Sequence, residues 1–272
     1  MPDQTHFVPK TIPCGQGDGT AFWSINPDGN VILFIHGFRG TSIGTWVQFP
    51  SLLQSENSCS GKDIIFYTYD TMHTPIANSG SLFFQFIDKL FCDFPLICNE
   101  TIDHEAKRRN SFKLKTMTIV AHSLGAVAAR YALVQAFQEN KVWLQNTRLI
   151  LFAPAHHGAR VQNLLMSTVT MVKWLKPIAG LALYQYPTLE ELKPNSNILK
   201  QIIRDTENAK NKPFGDKLLA HRVIYGATDK VVNVLRYSDD PPHIAVPGKD
   251  HITVCKPDSE YRLPVEKVVD IS

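Results

Sequence analysis

The chain has 272 residues, 44% hydrophobic and 19% charged, with a net charge of +3. That length and composition predict one globular domain over 1–272, and so small a net charge gives no argument for nucleic acid. The five scattered cysteines lack a metal spacing, the start Met1-Pro2-Asp3-Gln4 is neither basic nor apolar, and the longest apolar stretch, 161–186, is interrupted by Lys173, Lys176 and Pro177. Free thiols in a reducing compartment, no signal peptide and no membrane span are therefore expected, which makes a cytoplasmic protein the default.

Residues 5–11 and 20–25 read as short edge strands, separated by the turn-rich Cys14-Gly15-Gln16-Gly17-Asp18-Gly19. Asn26-Pro27-Asp28-Gly29 is a turn, and Val31-Ile32-Leu33-Phe34-Ile35 is an apolar run of strand length that ends in His36-Gly37-Phe38-Arg39-Gly40. A first helix is expected over 45–54, with Pro50 near its start. Residues 64–69 form another buried strand, and Leu82, Phe83, Phe86, Ile87 and Leu90 make a helical stripe over 81–91. The charged stretch 103–112 reads as a surface helix or loop. Its Lys107-Arg108-Arg109 is expected to be a solvated face, open to an anionic lipid head group or an acidic partner.

Further strands are expected at 118–120, 148–152 and 221–226, and a last strand or short hairpin over 244–254 around Gly248. Residues 159–219 form a long, mostly helical insertion. Its apolar content, including Leu164, Leu165, Val169, Met171, Trp174 and Leu183, is too high for an exposed loop. Part of it is expected to pack on the sheet and part to roof the site as a cap or lid. Continuous apolar strands alternating with helices imply an α/β fold, a mostly parallel sheet with helices on both faces. Sites in such sheets lie beyond the carboxyl ends of the strands.

The chemistry centres on Ala121-His122-Ser123-Leu124-Gly125, which sits between the strand at 118–120 and the helix-forming 126–133. A strand that turns straight into a helix leaves room only for small residues two positions either side of its apex, and it exposes the apical hydroxyl. Ser123 is thus a candidate nucleophile. It needs a base, and the base needs a group to orient it. His122 beside it is expected to be packed or hydrogen-bonded, not reactive. Asp229, just past a strand in Gly-Ala-Thr-Asp, is the candidate acid; Asp205 and Asp216 lie in helical or loop contexts far from a strand end, and Asp239 and Asp240 stand in a solvent-like Ser-Asp-Asp-Pro-Pro turn. Only His243 and His251 follow it, and His251, in the polar Gly248-Lys249-Asp250-His251 loop, is favoured as base. The Leu124 N–H and, from the glycine-rich loop after the first central strand, the Phe38 N–H are candidate donors to a developing oxyanion. His156-His157 has no partner at a metal-ligand spacing, so neither a metal nor an organic cofactor is expected.

Together His36-Gly37-Phe38-Arg39-Gly40, Ala121-His122-Ser123-Leu124-Gly125, Ala153-Pro154-Ala155-His156-His157-Gly158 and Asp250-His251-Ile252-Thr253-Val254-Cys255-Lys256-Pro257 resemble the lipase-like α/β-hydrolase superfamily. Within it they are similar to the serine-active-site-containing esterases and the GPI-inositol-deacylase-like lipases. The resemblance implies an α/β-hydrolase fold, Ser123, Asp229 and His251 as a catalytic triad, Phe38 and Leu124 as oxyanion donors, and cleavage of lipid-like or apolar acyl esters. Ala121 departs from the more frequent glycine while still meeting the size limit. Acyl transfer or thioester cleavage by the same residues, or a silent binding protein on this fold, would share the pattern.

Overall fold

The computed structural model describes residues 6–102, 106–169 and 186–272. Among the described residues eight strands form one sheet in the order β1-β2-β4-β3-β5-β6-β7-β8. β1 (Phe7–Cys14) and β2 (Gly17–Ser24) make an antiparallel hairpin at one edge. Its turn is two residues long, shorter than the six-residue turn region suggests. Gly15 takes φ 47°, and a Cβ there would lie 2.6 Å from the Tyr67 hydroxyl.

The remaining strands, β3 (Asn30–Ile35), β4 (Asp63–Tyr67), β5 (Thr116–His122), β6 (Thr147–Phe152), β7 (Arg222–Gly226) and β8 (Ile244–Val246), run parallel. From β3 the chain first moves to β4 on one side and then to β5 on the other. The carboxyl ends of β3 and β5 therefore flank the switch point where open parallel sheets hold their sites.

Side-chain alternation assigns the two faces. Phe34 and Phe66 are register partners and stack at 4.5 Å, while their neighbours Ile35 and Tyr67 point the other way. Phe49 of α1 (Phe49–Gln54) meets Phe34 at 5.1 Å, so α1 covers the first face; Phe83 of α2 (Ile76–Asn99) meets Tyr67 at 4.9 Å, so α2 covers the second. The helix expected over 45–54 begins only at Phe49, where Pro50 takes the first turn without losing a needed N–H. α2 runs well beyond the apolar stripe and kinks at Asp93, two residues before Pro95, as a mid-helix proline requires. It packs tightly on α3 (Leu124–Gln138): a Cβ on Gly80 would lie 2.5 Å from the Tyr131 ring.

Within 159–219 the described elements are α4 (Val161–Val169), α5 (Pro187–Glu191), α6 (Asn197–Ala209) and a 3-10 turn over Gly215–Leu218. The apolar positions Met171, Trp174 and Leu183 lie outside the described residues. After β8 the segment around Ile252 is not a strand. It forms a 3-10 turn over Thr253–Cys255, followed by α7 (Leu263–Val269), which packs beside α1. The Asp250 carboxylate accepts the Ile252 and Thr253 N–H groups, which favours the turn over a ladder.

Two charges that read as solvated are buried. Arg108 is 4% exposed and reaches Asp63 at 2.6 Å and the Ser24 carbonyl at 2.9 Å, so it is a core residue and not part of a basic face. Asp240, in a turn of polar and proline residues, is 2% exposed and pairs with Arg130. In both cases a buried opposite charge compensates for lost hydration. Among the described residues no helix is long and apolar enough to cross a membrane.

Candidate active site

β5 ends at His122 and α3 begins at Leu124, so Ser123 alone makes the turn. Its φ of 54° and ψ of −119° lie in a region that residues with a Cβ rarely adopt. The turn is pinned by the Ser123 N–H to the Phe152 carbonyl at 3.0 Å and by the Ala126 N–H to the Ser123 carbonyl at 3.1 Å. Gly125 shows why the flanking positions are small: a Cβ there would lie 2.5 Å from the His36 carbonyl oxygen and 2.6 Å from that of Ile35.

His251 sits between Ser123 and Asp229. Its Nε2 is 2.9 Å from Ser123 Oγ, and its Nδ1 is 2.9 Å from Asp229 Oδ2. Ser123 and His251 are 1% and 2% exposed. With Nδ1–H donating to the carboxylate, the Nε2 lone pair faces the serine hydroxyl, the arrangement in which an imidazole can take a proton. The other Asp229 oxygen accepts the Val231 and Val232 N–H groups at 2.8 and 3.2 Å. Burial alone would raise this carboxyl. The hydrogen bond and charge of His251 and those two N–H groups outweigh it, so Asp229 is held below the ordinary carboxylate range and stays ionised.

The acid and base loops are fastened to each other. The Thr228 N–H and hydroxyl both donate to the Lys249 carbonyl, at 3.1 and 2.8 Å. A Cβ on Gly226 would lie 2.4 Å from that oxygen, so only glycine lets the base loop this close to the end of β7. The alternative residues are elsewhere. His243 is exposed with its ring edge-on to Tyr225 at 5.4 Å. Asp205 is on α6, Asp216 neighbours Lys217, and Asp239 pairs with Lys210 at 2.8 Å.

The loop after β3 presses against the elbow. A Cβ on Gly37 would lie 2.8 Å from Ser123 Cβ and 3.0 Å from His122 Nδ1. Among the described residues neither the Phe38 nor the Leu124 amide N–H has a hydrogen-bond acceptor. Both are thus available to a negative oxygen beside Ser123. The loop is braced by residues that no short motif in the sequence reveals. The Arg39 N–H donates to Thr71 Oγ1 at 2.8 Å, the Tyr69 hydroxyl donates to the His36 carbonyl at 3.0 Å, and the His36 ring contacts Thr68 Oγ1 at 3.1 Å. Burial lowers His36 to about 4, so it acts as a neutral strut.

His122 is buried and its Nε2 lies 2.8 Å from the His251 carbonyl oxygen. Burial, then the nearby His251, lower its titration to about 3. His156 is also buried, 3.1 Å from the Ala126 carbonyl and 4.5 Å from the Tyr237 ring, while His157 turns to the Arg236 carbonyl at 3.2 Å. Among the described residues no three His, Cys, Asp or Glu side chains cluster as a metal site would require. Beside His251 a cleft of about 410 Å³ is bordered by Met166 of α4, Val231 and Ile252, with Lys230 and Asp250 among its polar residues.

No protein-family model and no curated protein sequence matches the chain. Several solved structures resemble it. The mature lipase BlEst2 of Bacillus licheniformis gives a TM-score of 0.57 at 16% identity, over 89% of this chain and 92% of that one. The peroxisomal α/β-hydrolase Lpx1 of Saccharomyces cerevisiae gives 0.58 at 10% identity, over 98% and 90%. Esterase B of Lactobacillus rhamnosis, with a tributyrin phosphonate, gives 0.54 at 14% identity, over 98% and 86%. At these identities the likeness is one of fold.

Proposed function

Because the chain carries the α/β-hydrolase fold, we propose that it is a serine carboxylic-ester hydrolase acting through an acyl-enzyme on apolar acyl esters. The observation that carries this reading is the buried hydrogen-bonded series Ser123–His251–Asp229, with 2.9 Å at each step. Lipases and esterases among the structural neighbours support it.

Ser123 Oγ attacks the ester carbonyl while His251 Nε2 takes its proton. Asp229 keeps the base in the tautomer that presents Nε2 and stabilises the imidazolium. The Phe38 and Leu124 N–H groups hold the oxyanion. His251 then gives its proton to the leaving alcohol, and water enters by the same base to release the acid. Met166, Val231 and Ile252 beside His251 offer an apolar wall to the acyl or alcohol chain, and α4, which supplies Met166, is the described part of the cap expected over 159–219.

The test is labelling by a fluorophosphonate probe together with hydrolysis of p-nitrophenyl esters of increasing acyl length. The parent should label and hydrolyse, medium and long acyl chains should outpace acetate, and Ser123→Ala should do neither. Labelling that survives Ser123→Ala assigns the nucleophile elsewhere. An acceptor alcohol that diverts the product to a new ester indicates acyl transfer in place of hydrolysis.

A further inference from the structure

We infer that His122 is a positioning residue that sets the distance between the nucleophile and its base. The inference rests on the proposed hydrolase chemistry and adds a role for a side chain that takes no part in the proton transfers. His122 is joined covalently to Ser123, and its Nε2 lies 2.8 Å from the backbone carbonyl oxygen of His251. A carbonyl only accepts, so Nε2 must carry the proton. Apart from the Ser123–His251 contact itself, it is the one hydrogen bond among the described residues that ties His251 directly to the strand bearing the nucleophile.

The rest of the base loop is fastened elsewhere. Lys249 is held by Thr228, and Asp250 caps the turn at Ile252 and Thr253. These bonds fix the loop to β7 and to itself. They leave its approach to β5 to His122. The two rings lie 5.1 Å apart, and Trp46 closes the His122 ring at 6.4 Å. The third neighbour is the oxyanion loop, since a Cβ on Gly37 would come within 3.0 Å of His122 Nδ1. One ring thus touches the three pieces that the chemistry needs in register.

The environment also explains why a histidine suits the position. Nδ1 is buried without a hydrogen-bond partner among the described residues. Leaving a buried acceptor unpaired has a cost that an apolar side chain would avoid. The Nε2–H bond to His251 is what an apolar side chain would forfeit. Because the ring stays neutral through the working range, it adds no positive charge beside the imidazolium that His251 becomes.

The experiment compares His122→Leu, His122→Gln and His122→Asn in the full chain, with a p-nitrophenyl ester and a fluorophosphonate probe. Loss of the strut should lower kcat of His122→Leu by roughly 10- to 100-fold, with KM within about threefold, since geometry and not ground-state binding is disturbed. Glutamine places its amide N–H near the position of Nε2 and should recover most of the rate, while the shorter asparagine should not. The Gln and Asn pair keeps the test decisive even where the leucine variant fails to fold, each being checked by its thermal transition. Folded Gln and Asn variants with equal kcat, or a folded leucine variant at the parental rate, would overturn the role of His122. Ser123→Ala labelling in the same series separates the two failures: labelling that persists there overturns the hydrolase reading itself, whatever the His122 variants do.

Discussion

Arg130 Nη2 lies 2.6 Å from Asp240 Oδ2, and the two side chains are 0% and 3% exposed. The pair joins the helix behind Ser123 to the turn that follows the acid loop. The Tyr237 ring lies 4.1 Å from the guanidinium, and the Ala220 N–H donates to the same carboxylate at 2.7 Å. Removing one charge strands the other in the core. Arg130→Leu or Asp240→Leu is expected to lose about 3–5 kcal/mol in urea unfolding. The double variant should be more stable than either single one. Additive losses would contradict a paired role.

Ser123 provides a test of backbone strain that is independent of turnover. Alanine and glycine both remove the hydroxyl, so they differ only in the Cβ and in chain freedom. At φ 54° the Cβ is unfavourable. Ser123→Gly should therefore be more stable than Ser123→Ala by about 1 kcal/mol, the reverse of the order at most positions. Denaturant midpoints of the two variants decide it, and an alanine variant that is the more stable would exclude strain at this turn.

Two glycines should respond differently to the same methyl group. At Gly125 a Cβ meets the backbone oxygens of His36, just past β3, at 2.5 Å and of Ile35, the last residue of β3, at 2.6 Å, which cannot move without parting the sheet from α3. Gly125→Ala is expected to cost more than about 3 kcal/mol or to prevent folding. At Gly37 the two atoms nearest a Cβ are side-chain ones, Ser123 Cβ at 2.8 Å and His122 Nδ1 at 3.0 Å. Gly37→Ala should fold and lose roughly 100-fold in kcat as the Phe38 N–H leaves its proposed oxyanion position. Full activity in Gly37→Ala would remove Phe38 as a donor.

Acid should destabilise the protein well above the carboxylate range. His36 is lowered to about 4 and His122 to about 3, both chiefly by burial, and burial also holds His156 well down. Each is neutral when folded and takes up a proton when unfolded below about pH 6.5. The unfolded state then binds more protons, so stability is full above that pH and falls toward pH 4. His36 alone amounts to up to about 3 kcal/mol by pH 4. Urea midpoints at pH 7, 5.5 and 4.5 should decline, less steeply in His36→Gln. A flat profile over that range would show that these rings are not buried as neutral groups.

The sequence by itself determined the parts of this protein that depend on local rules. Apolar runs of strand length located β3 to β7. The small residues Ala121 and Gly125 marked a strand-to-helix turn as a local pattern, although the atoms that exclude a Cβ at Gly125 belong to the distant Ile35 and His36. The same rules failed where a local preference had a rival. Ile252 and Val254 suggest a strand, but the Asp250 carboxylate captures their turn. Pro50 delays the first helix.

Only the tertiary structure decided what lies beside what. Asp229 and His251 are 22 residues apart and Ser123 is 128 from His251, yet both hydrogen bonds are 2.9 Å. Arg108 and Asp240 looked solvated because charge favours water unless an opposite charge waits in the core, and those partners, Asp63 and Arg130, are 45 and 110 residues away. An arginine inside the apolar run Ala128-Ala129-Arg130-Tyr131-Ala132 was the one local hint that such a partner existed. Strand-length apolar runs and turn-capping side chains are set by neighbours in the chain. The compensation of a buried charge, and the approach of a base to a hydroxyl, are fixed by which distant loops the folded sheet brings to one edge.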